Sequence, residues 1–336
     1  MSQTTIKDIA AKLNISPSTV SRALHNHPKV TDETKRKVRE MAKTLNYHPD
    51  SVARSLKKQS SNIIGVIVPQ VKHYFFAAIM SGITDIAYKA GYTVMIFQSN
   101  EDYHREVMNT RAVISQRAAG LLVSLSRPTH NYAHFEELLA RGIPLVFFDR
   151  VCHELEANKV IVDDFDGAMQ ATEHLIERGY RRIAHLAGPQ NLSIGKERLA
   201  GYRTALEKNN RPYCEELVVI GGLNEEDGMS GFLELLQKSD EKPDALFAVT
   251  DPVAIGAYTK MKEQKIRIPT DIALVGFSDS PIASLIDPPL STVRQPAYEI
   301  GVAAAKLLLQ QIENKSPENF PETIVLKTEL IIRQSS

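Results

Sequence analysis

The chain has 336 residues, too many for one ordinary hydrophobic core, so two or three domains are expected. Forty Lys and Arg balance forty Asp and Glu, which excludes a uniformly basic nucleic-acid binder, and no stretch is apolar enough to span a bilayer. Cys152 and Cys214 stand alone, without the spacing of a zinc site or a disulfide framework, and the N-terminus lacks the pattern of a secretory leader. The expectation is a cytoplasmic protein with no membrane association, no metal and no cofactor.

The balanced charge hides an asymmetry. Residues 1–59 hold twelve Lys and Arg against five Asp and Glu, an excess of seven positive charges, and the remainder carries a matching negative excess. A basic head on an acidic body suits a phosphate-binding module joined to a sensor, because backbone contacts to DNA need local positive charge. A merely solvated basic face fits the count too.

Thr5 can cap a helix from Ile6 to Leu13, whose Ile6, Ile9, Ala10 and Leu13 recur at helical spacing. The connection Asn14-Ile15-Ser16 is very short. Ser16 then caps a second helix to Leu24 with Pro17 in its first turn, placing Val20, Ala23 and Leu24 on one side and Ser18, Ser21 and Arg22 on the other. Two helices joined so tightly read as a helix-turn-helix, or as a generic helical corner. A third helix is signalled from the Thr31 cap to about Asn46 through Val38, Met41, Ala42 and Leu45. After Pro49, the segment 50–58 offers Val52, Ala53 and Leu56 on one side but is too short to be helical alone, so it is either a flexible linker or a helix that needs a packing partner.

From Asn62 short β-branched runs alternate with longer amphipathic ones. Strands are predicted at 63–68, 93–97, 120–123, 144–148, 160–162, 182–186, 217–220, 245–249 and 272–275, with helices between them at 76–89, 106–116, 168–178, 197–209, 226–237 and 252–264. That alternation predicts an α/β body of two doubly wound parallel-sheet subdomains with a cleft between them. Ligands of such sheets bind at the carboxyl ends of the strands. Polar and aromatic residues fall there at His73 to Phe76, Gln98-Ser99, Asp149-Arg150, Asn191, Arg198, Thr250-Asp251 and Ser278-Asp279. Singly, each suits a cap or turn as well as a site; Thr250 precedes Pro252 as an N-cap does. Enzyme signatures fail on spacing: Gly188 to Lys196 is not a phosphate loop, His153-Glu154 lacks a second histidine, and no nucleophile elbow surrounds Ser230.

An ordered set of motifs then resembles the lactose-repressor/galactose-repressor (LacI/GalR) family over essentially the whole chain. It comprises Ile6-Lys-Asp-Ile-Ala, Ser16 to Leu24 with its Thr-Val-Ser-Arg core, Leu45-Asn-Tyr-His-Pro, Val52-Ala-Arg-Ser-Leu, Ile64-Gly-Val and Phe147-Phe-Asp-Arg. Leu186-Ala-Gly-Pro, Arg198-Leu-Ala-Gly-Tyr, Ile272-Ala-Leu-Val-Gly-Phe-Ser-Asp and Ser291-Thr-Val-Arg-Gln-Pro complete it. The resemblance implies a helix-turn-helix domain at 1–48, a hinge helix and linker at 49–61, and a periplasmic-binding-protein-like body at 62–336. Within the body it places the first subdomain at about 62–162 plus 293–322 and the second at about 163–292 plus 323–336. It implies Pro17, Ser18 and Arg22 at the bases, Thr5, Ser16, Thr19, Ser21 and His25 at phosphates, and Val52, Ala53 and Leu56 as the minor-groove hinge. For a small effector related to carbohydrates, it implies Phe75, Phe76, Gln98, Asp149, Asn191, Arg198, Thr250, Asp251, Ser278, Asp279 and Gln295.

The implied function is a repressor that binds a double-stranded, pseudo-palindromic operator as a homodimer and is not an enzyme; the alternatives are a family member that activates or uses a corepressor, and a solute-binding protein that shares only the body. The chain departs from the family at three of these positions: His25 and Thr250 stand where Asn is common, and Ser278 where an acid is common. No heptad helix follows Ile331, so a dimer is expected instead of a tetramer.

Overall fold

The computed structural model describes residues 4–47, 61–238, 241–313 and 321–336, in two compact units that divide between Ser61 and Asn62. In the first unit, α1 (Ile6–Leu13), α2 (Pro17–Leu24) and α3 (Asp32–Thr44) pack around Ile9, Ala10, Val20, Ala23, Val30 and Val38. Local chemistry sets each boundary. The Thr5 amide donates to the Asp8 carboxylate at 2.7 Å, Ser16 Oγ accepts from the Thr19 amide at 3.1 Å, and Thr31 Oγ1 accepts from the Thr34 amide at 3.4 Å. Asn14 stops α1 in the left-handed conformation, φ 51°, which Asn tolerates better than most residues.

The second unit contains two six-stranded sheets. In the first, all strands are parallel, in the order β11 (Thr323–Leu326), β5 (Asn158–Val162), β4 (Leu145–Phe148), β3 (Gly120–Val123), β1 (Ile63–Val68), β2 (Thr93–Gln98). Successive side chains serve opposite faces. Val66, Leu122, Val146 and Phe148 pack under α4 (Tyr74–Lys89) and α11 (Ala297–Glu313), whereas Ile67, Leu121, Val123 and Phe147 pack under α5 (Tyr103–Ser115) and α6 (Ala133–Ala140). Helices α4 and α11 meet through glycine, because a Cβ on Gly82 would strike the Tyr298 carbonyl and one on Gly301 the Ile79 carbonyl.

The second sheet has the order β12 (Glu329–Ile331), β10 (Ser291–Arg294), β9 (Ala273–Ser278), β8 (Ala245–Ala248), β6 (Ile183–Ala187), β7 (Val218–Ile220), with only β12 antiparallel. One face lies under α7 (Asp164–Glu177) and α8 (Ser193–Lys208), the other under α9 (Glu225–Lys238) and α10 (Asp251–Glu263).

The chain passes between the sheets three times: from β5 into α7, from β10 into α11, and from β11 into β12. The last two differ from the sequence reading. Thr323–Leu326 belongs to the first sheet, paired with β5 from Thr323 opposite Lys159 to Leu326 opposite Val162, and Val293-Arg294 belongs to the second. Both are sheet-edge or near-edge segments whose own sequence does not select a partner, so pairing alone decides the subdomain. None of the described helices is long and apolar enough to cross a membrane.

Candidate functional site

In the head, α2 turns Val20 and Ala23 into the core and leaves Pro17, Ser18 and Arg22 exposed. No described residue pairs with the Arg22 guanidinium, so its fork of five donors is open to an incoming acceptor such as guanine O6 and N7. Ser16 Oγ lies 2.8 Å from both Ser18 Oγ and Thr19 Oγ1, a hydroxyl cluster at the helix N-terminus, where the backbone favours anions. Thr5 Oγ1 donates to Asp8 at 2.7 Å, and His25 Nδ1 donates to the Ser21 carbonyl at 2.7 Å, turning Nε2 outward. The hinge residues Val52, Ala53 and Leu56 lie outside the described residues.

In the second unit, the strand ends of the two sheets face one cleft, open to solvent. Of the residues singled out from the sequence, Phe75, Phe76, Asp149, Arg198, Thr250, Ser278 and Gln295 line it, together with His73, Tyr74 and Arg150. Phe75 and Phe76 meet edge to face with ring centroids 5.4 Å apart.

Arg198 is 1% exposed and fixed on three sides. Its Nε and Nη2 donate to Asp164 Oδ1 at 2.8 and 2.7 Å, its Nη1 to the Val249 carbonyl at 2.5 Å, and its guanidinium carbon sits 3.7 Å from the Phe277 ring centroid. Burial pushes the Asp164 carboxyl up to about 6, against the pull of Arg198.

Across the cleft, Arg150 Nη1 donates to Glu101 Oε1 at 2.8 Å and Arg150 Nε lies 3.9 Å from Asp149 Oδ2. Asp149 adopts φ 61° and accepts from Ser124 Oγ at 3.1 Å; burial raises its carboxyl above the ordinary range, opposed by Arg150 and Arg198. Gln295 Nε2 donates to Ser278 Oγ at 3.1 Å, and burial lowers His73 so that it stays neutral near pH 7.

Four expected residues do not line the cleft. Asp251 is fully buried and accepts from Thr292 Oγ1 at 2.6 Å and from the Ser280 amide and hydroxyl at 2.7 and 2.9 Å, so it braces the loop after β9. Asp279 binds Arg294 at 2.8 Å and Arg333 at 2.6 Å. Gln98 accepts from the Val71 amide at 3.1 Å and donates to Asn100, steadying the loop that leads to α4. Asn191, in the second subdomain, donates to the Arg127 carbonyl in the first and so ties the two. Sequence reasoning misses Asn224 and Ser280, which follow β7 and β9 and share the strand-end signal, and Ile194 and Leu223, which carry no polar signal at all.

Residues 5–50 match the family model described as bacterial regulatory proteins, lacI family, and residues 172–336 match the one described as a periplasmic binding protein-like domain. The ribose operon repressor of Haemophilus influenzae is 35% identical over 331 residues, covering 98% of each chain. The chain belongs to the LacI family. Among solved LacI-like structures, a lac repressor dimer bound to operator and the anti-inducer ONPF superposes with a TM-score of 0.86 at 26% identity, over 99% of both chains. A complex of the transcriptional regulator CelR with cellobiose gives 0.76 at 29% identity, over 99% of this chain and 100% of that one.

Proposed function

We propose that this chain is a transcriptional repressor that reads a pseudo-palindromic operator through α2 as a homodimer and is controlled by a small, carbohydrate-related effector in the cleft. The observation that carries the reading is the exposed face of α2, where Arg22, with no partner among the described residues, stands beside Pro17 and Ser18 on a capped helix. Thr5, Ser16, Thr19, Ser21 and His25 are assigned to phosphates, fixing register, and Val52, Ala53 and Leu56 to the hinge that wedges the minor groove. Ile96 on the open edge strand β2 of the first sheet and Met108 on α5, together with Ile282 and Leu285 in the second subdomain, are exposed apolar groups that a second copy would cover.

An effector that favours one placement of the two subdomains would change the spacing of the paired hinges and thereby operator affinity. The cleft is read as a binding site, not a catalytic one, and the protein as cytoplasmic. Its ionisable groups hold one another in place, as Asp164 holds Arg198 and Glu101 holds Arg150. Gel shifts with genomic fragments test the proposal: selective retention of one fragment, altered by a cleft ligand, is expected. Equal retention of random DNA at every salt concentration would refute it.

A further inference from the structure

We propose that the cleft selects a neutral polyhydroxylated ligand and rejects its phosphorylated or acidic derivatives, an inference that rests on reading the cleft as the effector site. Two arginines at the floor suggest an anion site at first sight. Both guanidiniums, however, are matched by carboxylates of this chain: Arg198 by Asp164 at 2.7 Å and Arg150 by Glu101 at 2.8 Å. Asp149 adds a third carboxylate, 3.9 Å from Arg150. Burial pushes the Asp149 carboxyl up, and even with its proton on, the floor is neutral. In neither state is there a cationic excess to offset the desolvation of a phosphate dianion.

The helix termini point the same way. The first turns of α9 and α10 reach the cleft through Asn224, Thr250 and Pro252, and they already carry Glu225, Glu226, Asp227 and Asp251. Asp164 and Asp166 do the same in the first turn of α7. The positive ends of these helices are therefore met by the chain's own acids.

Two buried side-chain atoms at the cleft have no hydrogen-bond partner among the described residues, Arg150 Nε and Gln295 Oε1. One is a donor and the other an acceptor. A hydroxyl both accepts and donates, so one class of group satisfies both, and it also serves the Asp149 carboxylate in either protonation state. A phosphate dianion in the same place only accepts; it leaves Gln295 Oε1 unpaired, and it meets like charge wherever Asp149 is ionised. The rings of Phe75 and Phe76 and the side chains of Ile194 and Leu223 offer apolar surface to the C–H faces of such a ligand.

Isothermal titration of the full-length protein with matched pairs tests this: ribose against ribose 5-phosphate, glucose against glucose 6-phosphate, and glucose against gluconate. At least one neutral sugar is expected to bind, with its charged derivative about 100-fold weaker or undetectable. A charged derivative that binds as tightly as its parent overturns the inference while leaving the effector-site reading in place. Absence of binding by every neutral and charged member removes the effector-site reading for this ligand class, and the inference with it. Glu101→Gln should narrow the neutral-to-anionic ratio by about 10-fold, because it removes the carboxylate matched to Arg150 at nearly constant shape. A loss shared equally by both members of a pair, with the ratio unchanged, is the signature of a purely structural role and overturns the assignment.

Discussion

The head and the cleft handle polar groups in opposite ways. On α2 the side chains of Pro17, Ser18 and Arg22 are exposed and Arg22 has no partner among the described residues, so anything that binds there must order them and displace their water. In the cleft Arg198 is 1% exposed and held by Asp164, Val249 and Phe277 before any ligand arrives. The contrast suits the two tasks. A surface that scans many DNA sequences gains from groups that adapt, and a sensor that separates similar small molecules gains from groups that do not move.

The largest effect that sharpens this contrast is expected from Arg198→Ala, which strands Asp164 in the interior. The cost to the second unit should be about 3 to 5 kcal/mol, read by urea unfolding followed by circular dichroism. Replacing Asp164 and Arg198 together by leucine and methionine should recover most of that loss. If the single variant unfolds like the wild type, the pair is not the rigid anchor described.

Next in size is a pH effect confined to the interior. Burial lowers His185 to about 4, and its Nδ1 donates to the Phe247 carbonyl at 2.9 Å. A histidine whose folded pKa is depressed contributes stability that is complete above its unfolded value of about 6.5 and lost as pH falls toward 4. Asp164, raised to about 6, works in the opposite sense over the same window, so the effect is read as a difference: the wild type should lose about 3 kcal/mol more than His185→Gln as pH falls from 6.5 to 4. Parallel wild-type and His185→Gln profiles would contradict the assignment.

Arg22→Ala should follow, costing about 1 to 3 kcal/mol on the operator and much less on random DNA, measured by competition gel shift. Equal losses on both would make Arg22 a phosphate contact only. The smallest effect expected is that of Ser16→Ala, which removes the cap on the Thr19 amide. It should lower the stability of the head by about 1 kcal/mol in thermal melts, with no change in the stability of the second unit.

How much of this was legible varies with the source of each signal. The caps at Thr5, Ser16 and Thr31 and the apolar runs at Ile63–Val68 and Gly120–Val123 announce their elements because local chemistry decides them. The strands Ser291–Arg294, Thr323–Leu326 and Glu329–Ile331 and the helices Ala133–Ala140 and Ala297–Glu313 are not among the elements the sequence pattern predicts. The three strands are only three or four residues long, and the two at 323–331 are half exposed, so their role depends on distant partners.

At the cleft, strand-end reasoning locates the neighbourhood but not the direction of a side chain. Thr250 does cap α10, through Val253 at 3.3 Å, and also lines the cleft; its neighbour Asp251 turns inward to Thr292 and Ser280. Two adjacent polar residues thus part ways by one backbone rotation, which no spacing rule records.

The three passages of chain between the sheets also bear on synthesis. The three-helix head is continuous and can close as soon as it leaves the ribosome, whereas the first sheet lacks its edge strand and the helix Ala297–Glu313 until residue 326 has been made. By then all but one strand of the second sheet already exists. A nascent chain should therefore carry a finished reading head and an unfinished sensor through most of translation, exposing the sheet face that covers Ile64, Val66 and Val146 until the last tenth of the protein arrives.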